Sequence, residues 1–366
     1  MRCAYDPTVT AIAGVHGVLA PYGYPQEAIT AAFASVVSPD GGHRAVVERI
    51  HEATGVRHRN LALPLADYAT LSGFGAANDA FIRVGLDLAE QAITGALAHA
   101  GLRTRDVDLI LSTSVTGIAA PSLEARLALR MGFRPDVKRL PVFGLGCVAG
   151  ASGVARLHDH LLGNPDGVAV LVSVELCSLT VQRDDVSMPN IVASGLFGDG
   201  AAAVVMVGRR RAEAMGLSGP MVIDSRSRIY PDSERTMGWD ISETGFRIVL
   251  SAGVPDVIAS YVGEDVGDFL ADHDLKTSDI AGWVCHPGGP KVLDAMEEAL
   301  DLHDGQLDVT WRSLTSIGNL SSSSILHVLA DTMAGRSVVG PPELGTHGLM
   351  LAMGPGFCAE MVLLQW

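Results

Sequence analysis

The chain has 366 residues, of which 48% are hydrophobic and 18% charged, so it is long enough for two domains and too apolar to be disordered. Its formal net charge of −15 would repel a phosphate backbone, which argues against nucleic acid as a partner. Five widely spaced cysteines without a Cys-x-x-Cys pair indicate neither a disulfide framework nor a structural zinc site.

The N-terminal segment does not resemble a secretory signal. Residues 1–20 lack a basic start and a continuous apolar stretch, and Pro7, His16 and Gly17 interrupt them. The longest apolar stretch, residues 168–181, contains Glu175 and is too short to cross a bilayer. We therefore expect a cytoplasmic protein without a membrane span.

The chain repeats itself. An amphipathic helix predicted at 78–100 precedes a Leu-x-Thr segment that begins at Leu102, and one predicted at 255–273 precedes another that begins at Leu275. The small-residue segments at Gly146 and Gly318, each opening a helix, are separated by nearly the same interval. Helices and strands alternate in both copies, which predicts a duplicated, layered α/β fold. We place the join near 208–219 and divide the chain into halves 1–210 and 211–366.

A glycine motif lies in the middle of the first half. Residues 144–149 fit the G-x-G-x-x-A pattern of dinucleotide sites, follow a predicted strand at 139–143 and open a helix, while Glu175 ends the next strand as a ribose-binding acid would. The motif contains Cys147 and does not form the first βα turn. An NAD-dependent oxidoreductase is therefore kept as an alternative.

Cys147 supports a second interpretation of the same segment. A thiol at a helix N-terminus has a lowered pKa and favours thiolate, whereas a lone cysteine is more commonly a buried structural residue. The duplication favours the functional interpretation, because it puts Cys147 and Asn319 at equivalent helix starts. His286 ends a strand of the second half at the carboxyl edge, where α/β proteins bind ligands. A cysteine paired with a histidine suits nucleophilic acyl chemistry, and the histidine and amide can stabilise an enolate or oxyanion.

The other histidines suggest no metal site. His158 and His160 are two positions apart on a predicted helix and so lie on different faces. His43, His51 and His58 belong to a polar helix and its exit, and we expect them to be solvated. Residues 150–153 lack the spacing of a serine-hydrolase elbow.

The motifs together resemble those of the type III polyketide synthases, the chalcone and stilbene synthase family with the thiolase fold. The likeness extends over nearly the whole chain. The matching segments are residues 144–150, Leu196–Ala202, His286–Pro290, Gly318–Ser322 and Met353–Phe357. The resemblance implies a layered αβαβα arrangement of two similar halves.

The resemblance also implies roles. Cys147 would carry the acyl and polyketide thioester, and His286 and Asn319 would bind the malonyl carbonyl and stabilise the enolate. Phe197 would be a gatekeeper between the CoA tunnel and the cavity. Family members are homodimers, and the loop from Thr116 to Pro121, with Ala120 at its tip, would approach the partner's cavity. No metal or cofactor is implied, since CoA thioesters are the substrates.

Further cavity residues follow from the matched segments, some with departures from the plant enzymes. Ile248 stands where those enzymes have a second gatekeeper phenylalanine, Trp239 where they have glycine, and Ala120 where methionine is usual. The predicted lining also includes Cys177, Thr180, Ser321 and Gly289. Arg49 aligns with a residue that meets the CoA phosphates, and Arg57 and Arg59 are nearby.

An aliphatic gate with small lining residues suggests an aliphatic acyl-CoA starter. We therefore predict a decarboxylative Claisen condensation that adds malonyl units two or three times and closes an alkyl pyrone in preference to an alkylresorcinol. A ketoacyl-ACP synthase III, which shares the fold and the Cys-His-Asn set, is the alternative within acyl transfer.

Overall fold

The structure is a computed structural model and describes residues 9–38, 41–303, 305–338 and 340–366. The strands are Thr10–Leu19 (β1), Tyr22–Pro25 (β2), His58–Leu61 (β3), Leu109–Thr113 (β4), Lys138–Val142 (β5), Val168–Leu176 (β6), Asp199–Gly208 (β7), Met221–Ile229 (β8), Met237–Ser242 (β9), Gly245–Leu250 (β10), Ile280–Cys285 (β11), His347–Gly354 (β12) and Cys358–Gln365 (β13). The helices are Gln26–Val37 (α1), Arg44–Ala53 (α2), Leu65–Tyr68 (α3), Gly73–Ala100 (α4), Leu123–Arg130 (α5), Ala149–Leu162 (α6), Met188–Leu196 (α7), Arg209–Met215 (α8), Val254–Ala271 (α9), Pro290–Ala299 (α10), Asp308–Ile317 (α11) and Ser324–Met333 (α12).

Strands of both halves hydrogen-bond in one continuous order. Among the described residues that order is β11-β12-β13-β8-β1-β7-β6-β4-β5. β4 runs parallel to β5 and β6, and β11 runs parallel to β12, while the remaining neighbours are antiparallel. The two halves meet where β1 pairs with β8 at Thr10–Val222 and Ala11–Met221. β2–β3 and β9–β10 are separate two-stranded sheets.

The buried side chains divide into layers because alternate residues of a strand face opposite sides. On β6, Val168 and Val170 pack in the core under α4, whereas Ala169 and Leu171 pack in the core that contains α6 and α12. β13 likewise sends alternate residues toward α6 and α12 and toward α9 and α10. The sheet strands of the first half thus lie between α4 and the central pair α6 and α12, and those of the second half lie between that pair and α9 and α10. This order of layers confirms the predicted thiolase-like fold.

The two central helices approach each other closely. A Cβ added to Gly150 on α6 would lie 2.2 Å from the carbonyl oxygen of Ser322, just before α12. Glycine is therefore required there, and the small-residue character of both segments has a packing cause. The elements that carry the candidate site residues consequently start side by side.

One turn is repeated in detail. After α4, Gly101 has a φ of 65°, and the amide of Arg103 donates to the carboxylate of Asp106 at 2.9 Å. After α9, Asp274 has a φ of 58°, and the amide of Lys276 donates to Asp279 at 2.8 Å. Corresponding positions of the two turns are separated by the same interval as Leu102 and Leu275, as the sequence repeat predicts.

The predicted equivalence of Cys147 and Asn319 is displaced by about one helical turn. The 3-10 turns that open α6 and α12 start at Gly146 and Ser321, a longer interval than the one between Gly146 and Gly318. Cys147 thus lies inside its turn, whereas Asn319 precedes the corresponding one. The interval between Gly146 and Gly318 does not equal the interval between the two turns, because Gly146 starts its turn whereas Gly318 lies before its turn.

None of the described helices is both long and apolar enough to cross a bilayer.

Candidate active site

Cys147 lies in the 3-10 turn Gly146–Val148, which leads directly into α6. Gly146 has a φ of 60°, and a Cβ there would lie 2.4 Å from Cδ of Pro355. Glycine is therefore the residue that lets this turn pack against the β12–β13 hairpin. The turn holds Cys147 buried beside that hairpin.

His286 and Asn319 come from the second half of the chain. His286 follows β11 and continues its pairing with β12 through a backbone hydrogen bond of 2.9 Å. Asn319 forms a parallel β-bridge with Phe197 of the first half. Its N–H donates to the carbonyl of Leu196 at 3.0 Å, and its own carbonyl accepts the N–H of Gly198 at 2.9 Å. The predicted gatekeeper and the predicted amide are thus fixed to each other by backbone hydrogen bonds.

The side chains of the predicted triad converge. Sγ of Cys147 lies 3.5 Å from Oγ of Ser321, and Nδ2 of Asn319 lies 3.4 Å from Nε2 of His286. The N–H of Ser321 donates to Oδ1 of Asn319 at 2.7 Å, which orients the amide so that Nδ2 faces the imidazole. Within the described residues, Nδ1 of His286 is buried without a hydrogen-bond partner. Thiol, imidazole and amide line one cavity.

Burial opposes charge on both titratable members. It raises the pKa of Cys147 to about 12 and lowers the pKa of His286 to about 3. The lowered thiol pKa expected from the helix start is therefore wrong, because desolvation by burial outweighs the helix dipole. Both groups are therefore held neutral in the cavity, the thiol protonated and the imidazole without its second proton.

The cavity has a volume of about 950 Å³ and a mostly apolar wall. Nearly all of the predicted lining residues contribute to it, namely Thr116, Cys177, Thr180, Phe197, Trp239, Ile248, Gly289 and Ser321. Trp239 and Ile248 are direct cross-strand partners on β9 and β10. The two-stranded sheet therefore forms one wall of the cavity.

Two predicted residues lie outside this wall as the described residues define it. Arg49 is exposed on α2, and Ala120 is exposed in the loop after β4. The contacts of Arg49 with the CoA phosphates and of Ala120 with a second copy stay predictions.

Arg59 lines the cavity and also makes hydrogen bonds that hold the structure. It is 2% exposed, and its Nη1 donates to the carbonyl of Phe197 at 2.8 Å while its Nε donates to Gln26 at 2.9 Å. Gln26 in turn donates to the carbonyl of Gly195 at 2.7 Å. Gln26 therefore satisfies a carbonyl in the last turn of α7, and Arg59 satisfies the carbonyl of the gatekeeper that follows this helix.

Glu175 was interpreted above as a candidate ribose ligand, and the structure contradicts that interpretation. It is fully buried and accepts hydrogen bonds from Thr116 at 2.9 Å, from the amide of Val115 at 3.2 Å and from the hydroxyls of Ser321 and Ser322. A carboxylate enclosed by these donors cannot reach a nucleotide. The glycines of this motif instead allow the turn that carries Cys147 to form and to pack against the β12–β13 hairpin.

His51 is also a correction, because it is 1% exposed and not solvated. Its ring joins Thr30 on α1, at 2.9 Å, to Ser194 on α7, at 3.0 Å, and stacks on Phe33. His43 and His58 are exposed, as predicted. The amphipathic period of α2 could have identified His51, since Val47 precedes it by one helical turn on the same buried face.

A polar cluster beside the cavity was missed altogether. Tyr68, Ser178 and Asp199 are connected by hydrogen bonds, and the first two line the cavity. Asp199 belongs to the matched segment Leu196–Ala202, but the sequence of this segment does not indicate which residues hydrogen-bond to its carboxylate. Tyr68 lies in a short helix that no sequence pattern singled out.

No group of three or more metal-binding side chains is placed to hold an ion within the part of the chain that the structure describes. The described cysteines, at 147, 177, 285 and 358, form no disulfide.

Comparisons with known proteins agree with this geometry. The family model "Chalcone and stilbene synthases, N-terminal domain" matches residues 24–210, and the corresponding C-terminal domain matches residues 222–366. The chain is 56% identical to 1,3,6,8-tetrahydroxynaphthalene synthase of Streptomyces peucetius subsp. caesius, over 98% of this chain and 93% of that protein. It is 30% identical to phloroglucinol synthase of Pseudomonas fluorescens, over 89% and 91%.

Solved structures show the same likeness. The crystal structure of 1,3,6,8-tetrahydroxynaphthalene synthase from Streptomyces coelicolor A3(2), described as a bacterial type III polyketide synthase, has a TM-score of 0.90 and 29% identity, covering 97% of this chain and 99% of that chain. A polyketide synthase from the brown alga Ectocarpus siliculosus gives a TM-score of 0.90 and 25% identity, covering 97% and 98%.

Proposed function

The chain belongs to the chalcone and stilbene synthase family and is a type III polyketide synthase, and from this premise we propose that it makes 1,3,6,8-tetrahydroxynaphthalene from malonyl-CoA. The observation that carries the proposal is the similarity to the synthase of Streptomyces peucetius over nearly the whole chain. The ketoacyl-ACP synthase III alternative is set aside because the family match includes both halves. The oxidoreductase alternative is set aside because Glu175 is enclosed.

The chemistry of this product favours malonyl-CoA as the starter. Its ten ring carbons equal five two-carbon units, and oxygens on alternate carbons are what head-to-tail joining of such units leaves. Closure of the second ring requires a nucleophilic carbon at the start of the chain. A malonyl starter supplies one without the removal of a proton from carbon, because loss of its carboxylate as CO₂ leaves a carbanion equivalent there.

The cavity suits an intermediate of this kind. Its volume of about 950 Å³ lies at the upper end of the range for small-molecule sites, which leaves room for a folded ten-carbon chain. The apolar wall keeps water from a reactive poly-β-ketone. Access passes the gatekeeper Phe197, whose carbonyl Arg59 holds in place.

The three converging side chains are assigned the condensation steps. Cys147, with its proton transferred to His286, attacks the starter thioester and releases CoA. Nδ2 of Asn319 and the imidazole then hold the carbonyl oxygen of malonyl-CoA, so that negative charge can develop there when CO₂ leaves. The resulting enolate carbon attacks the thioester on Cys147, the C–S bond breaks and the Cys147 thiolate leaves, and the chain is now held on CoA and longer by two carbons. Transfer of this chain back to Cys147 releases CoA and prepares the next condensation. CoA thioesters are used directly, and no cofactor is invoked.

An aliphatic acyl-CoA starter with an alkyl pyrone or resorcinol as product is the second candidate. The aliphatic side chain of Ile248 opposite Trp239 favours it, since this wall presents apolar surface to the chain. Both candidates use the same condensation chemistry and differ in the starter group.

Product analysis by liquid chromatography and mass spectrometry separates the two candidates. Purified protein is incubated with malonyl-CoA alone and with malonyl-CoA plus a series of acyl-CoAs. We expect tetrahydroxynaphthalene from malonyl-CoA alone. Products that contain the acyl group, with no product from malonyl-CoA alone, would replace the first candidate by the second. Cys147→Ala should abolish all products, and Cys358→Ala, a thiol outside the described cavity wall, should not.

We also propose a cytoplasmic homodimer. β5 is the last strand of the described sheet order, four of its five residues are exposed, and Phe143 beyond it is 52% exposed. An open strand edge that exposes Leu140 and Phe143 is what a second copy would cover. The loop that contains Ala120 follows the neighbouring strand, β4, and would then approach the partner. Reduced cysteines and CoA substrates agree with the cytoplasm.

A further inference from the structure

One buried carboxyl beside the cavity has no part in the condensation steps. Asp199 is fully buried at the start of β7, where Oδ1 accepts the N–H of Ser178 at 2.8 Å and Oδ2 accepts the N–H of Ala62 at 2.7 Å. The hydroxyl of Ser178 also donates to Oδ2. Arg59 acts on Asp199 through space, while its hydrogen bonds go to Gln26 and to the Phe197 carbonyl.

The contacts of Asp199 lead outward to the cavity. The hydroxyl of Ser178 also hydrogen-bonds the phenol of Tyr68, and both residues line the cavity. Because Ser178 gives its one proton to Asp199, Tyr68 gives its own to Ser178. The N–H of Leu63 donates to the phenol oxygen at 3.3 Å and fixes its position. A continuous chain of hydrogen bonds thus connects the cavity wall to a buried carboxyl.

The protonation equilibria suit proton exchange. Burial raises the pKa of Asp199 to about 6, close enough to neutrality for it to take up and release a proton. Burial and the charge of Asp199 raise the pKa of Tyr68 well above its usual range, so the phenol passes protons on and does not keep the negative charge.

We propose that Tyr68, Ser178 and Asp199 form a proton relay for carbon–carbon ring closure, with Tyr68 as the residue that touches the polyketide. The inference rests on the proposed function, because it requires a poly-β-keto chain in the cavity. A methylene between two ketones gives its proton to the Tyr68 oxygen, while Tyr68 protonates Ser178 and Ser178 protonates Asp199.

The electrons and the proton balance within the step. The electron pair of the broken C–H bond forms the new C–C bond to a ketone carbon elsewhere on the chain, and the electrons of that carbonyl move to its oxygen. The proton then returns by the same path to the alkoxide. Asp199 ends ionised, as it began.

Ring closure through oxygen provides an internal reference. An enol oxygen that attacks the Cys147 thioester releases a lactone and passes its O–H proton to the departing thiolate, so this bond-forming step itself breaks no C–H bond. The ratio of carbocyclic to lactone products therefore reports on the relay. A loss of activity in the condensation steps lowers both products alike and leaves this ratio unchanged.

The test compares Tyr68→Phe and Ser178→Ala with the matched control Tyr24→Phe. Tyr24 accepts the N–H of Leu65 at 3.2 Å at the start of the same short helix, and it lies outside the described cavity wall. Products from malonyl-CoA alone and with acyl-CoA starters are quantified by mass spectrometry. We expect the carbocycle-to-lactone ratio to fall about tenfold or more in Tyr68→Phe and Ser178→Ala, and to stay at the wild-type value in Tyr24→Phe.

The outcomes separate the relay from a structural effect and from the proposed function. An unchanged ratio in Tyr68→Phe, or an equal fall in Tyr24→Phe, overturns the relay. If Tyr68→Phe has a lowered melting temperature, Ser178→Ala decides, since it keeps the phenol. A wild type that makes carbocycles from acyl starters but none from malonyl-CoA alone contradicts the proposed starter and leaves the relay test intact. A wild type that makes only lactones contradicts both.

Discussion

Ser321 contacts two of the side chains to which we assign the condensation, the thiol of Cys147 and the amide of Asn319. Its hydroxyl lies 3.5 Å from the thiol of Cys147, and its amide holds the side chain of Asn319 at 2.7 Å. The proposed nucleophile and the proposed enolate-binding amide therefore both contact one residue. The proposed division of labour between them can be tested because loading and decarboxylation are measured separately.

We expect Asn319→Ala to slow malonyl-CoA decarboxylation by about a hundredfold or more, since one donor to the developing oxyanion is lost. Acyl transfer to Cys147 should continue. Acetyl-CoA formation from malonyl-CoA measures the first step, and intact-protein mass measures the second. Asn78→Ala, an amide that bonds Ile118 outside the cavity, is the control. Unchanged decarboxylation would remove Asn319 from this role.

Ile248→Phe should shorten the series of acyl starters that are accepted, because a larger ring would occupy the wall opposite Trp239. The measurement is the product profile with acyl-CoAs of increasing length. Ile241→Phe is a matched control, since Ile241 is 70% exposed on β9. An identical profile for the Ile248 variant would mean that this side chain does not limit starter length.

At the scale of elements, α7 is held by its neighbours at the end that precedes the gate. Gln26 at the start of α1 bonds the carbonyl of Gly195, and His51 on α2 bonds Ser194. The placement of Phe197 therefore depends on side chains far away in sequence. Burial and Arg59 lower the pKa of His51 to about 4, from 6.5, which makes this junction sensitive to acid.

We expect the free energy of unfolding to report this sensitivity. Below pH 6.5 the unfolded chain protonates His51 while the folded protein does not, so stability falls as the pH decreases toward 4. His51→Gln removes this contribution, and its stability deficit relative to wild type should narrow by about 2 kcal/mol between pH 7 and pH 5. Urea unfolding at each pH measures it, with the exposed His43→Gln as control. Parallel pH profiles for wild type and His51→Gln would contradict the assignment.

The sequence predicts these elements well where the pattern is local and poorly where it depends on tertiary contacts. The turns after α4 and α9 recur because each needs a residue that adopts the left-handed backbone conformation and an acid three positions after the residue whose amide it accepts. Both features can be recognised in the sequence. The burial of Glu175 and His51 is not visible, because their partners lie on other segments. Tyr68 was missed for the same reason.

At the scale of the whole molecule, the two halves share a continuous strand order, and we retain the division at residue 210 as a proposal about its origin. Within the large sheet, the two halves meet at the two residue pairs that join β1 to β8. The halves are also joined by α6 and α12, which pack side by side in the central layer.

The open edge at β5 predicts the assembly state. Light scattering should give about twice the chain mass of 38.3 kDa for the wild type. Leu140→Lys, on β5, should shift the protein toward the monomer, because a buried lysine at a strand edge opposes pairing. Leu344→Lys, at a position 77% exposed in the second half, should not. A wild-type monomer would contradict the homodimer.

The origin of the site in both halves has a consequence for the order of synthesis. A ribosome has made Cys147 and most of the first half long before Asn319 exists, and the gate residue Phe197 gains its bridge only when residue 319 arrives. A nascent chain of this length therefore contains the thiol of Cys147 but lacks Asn319, the residue that pairs with the gate residue Phe197. Condensing activity in growing or truncated chains would thus appear only after the second half has been translated and has docked.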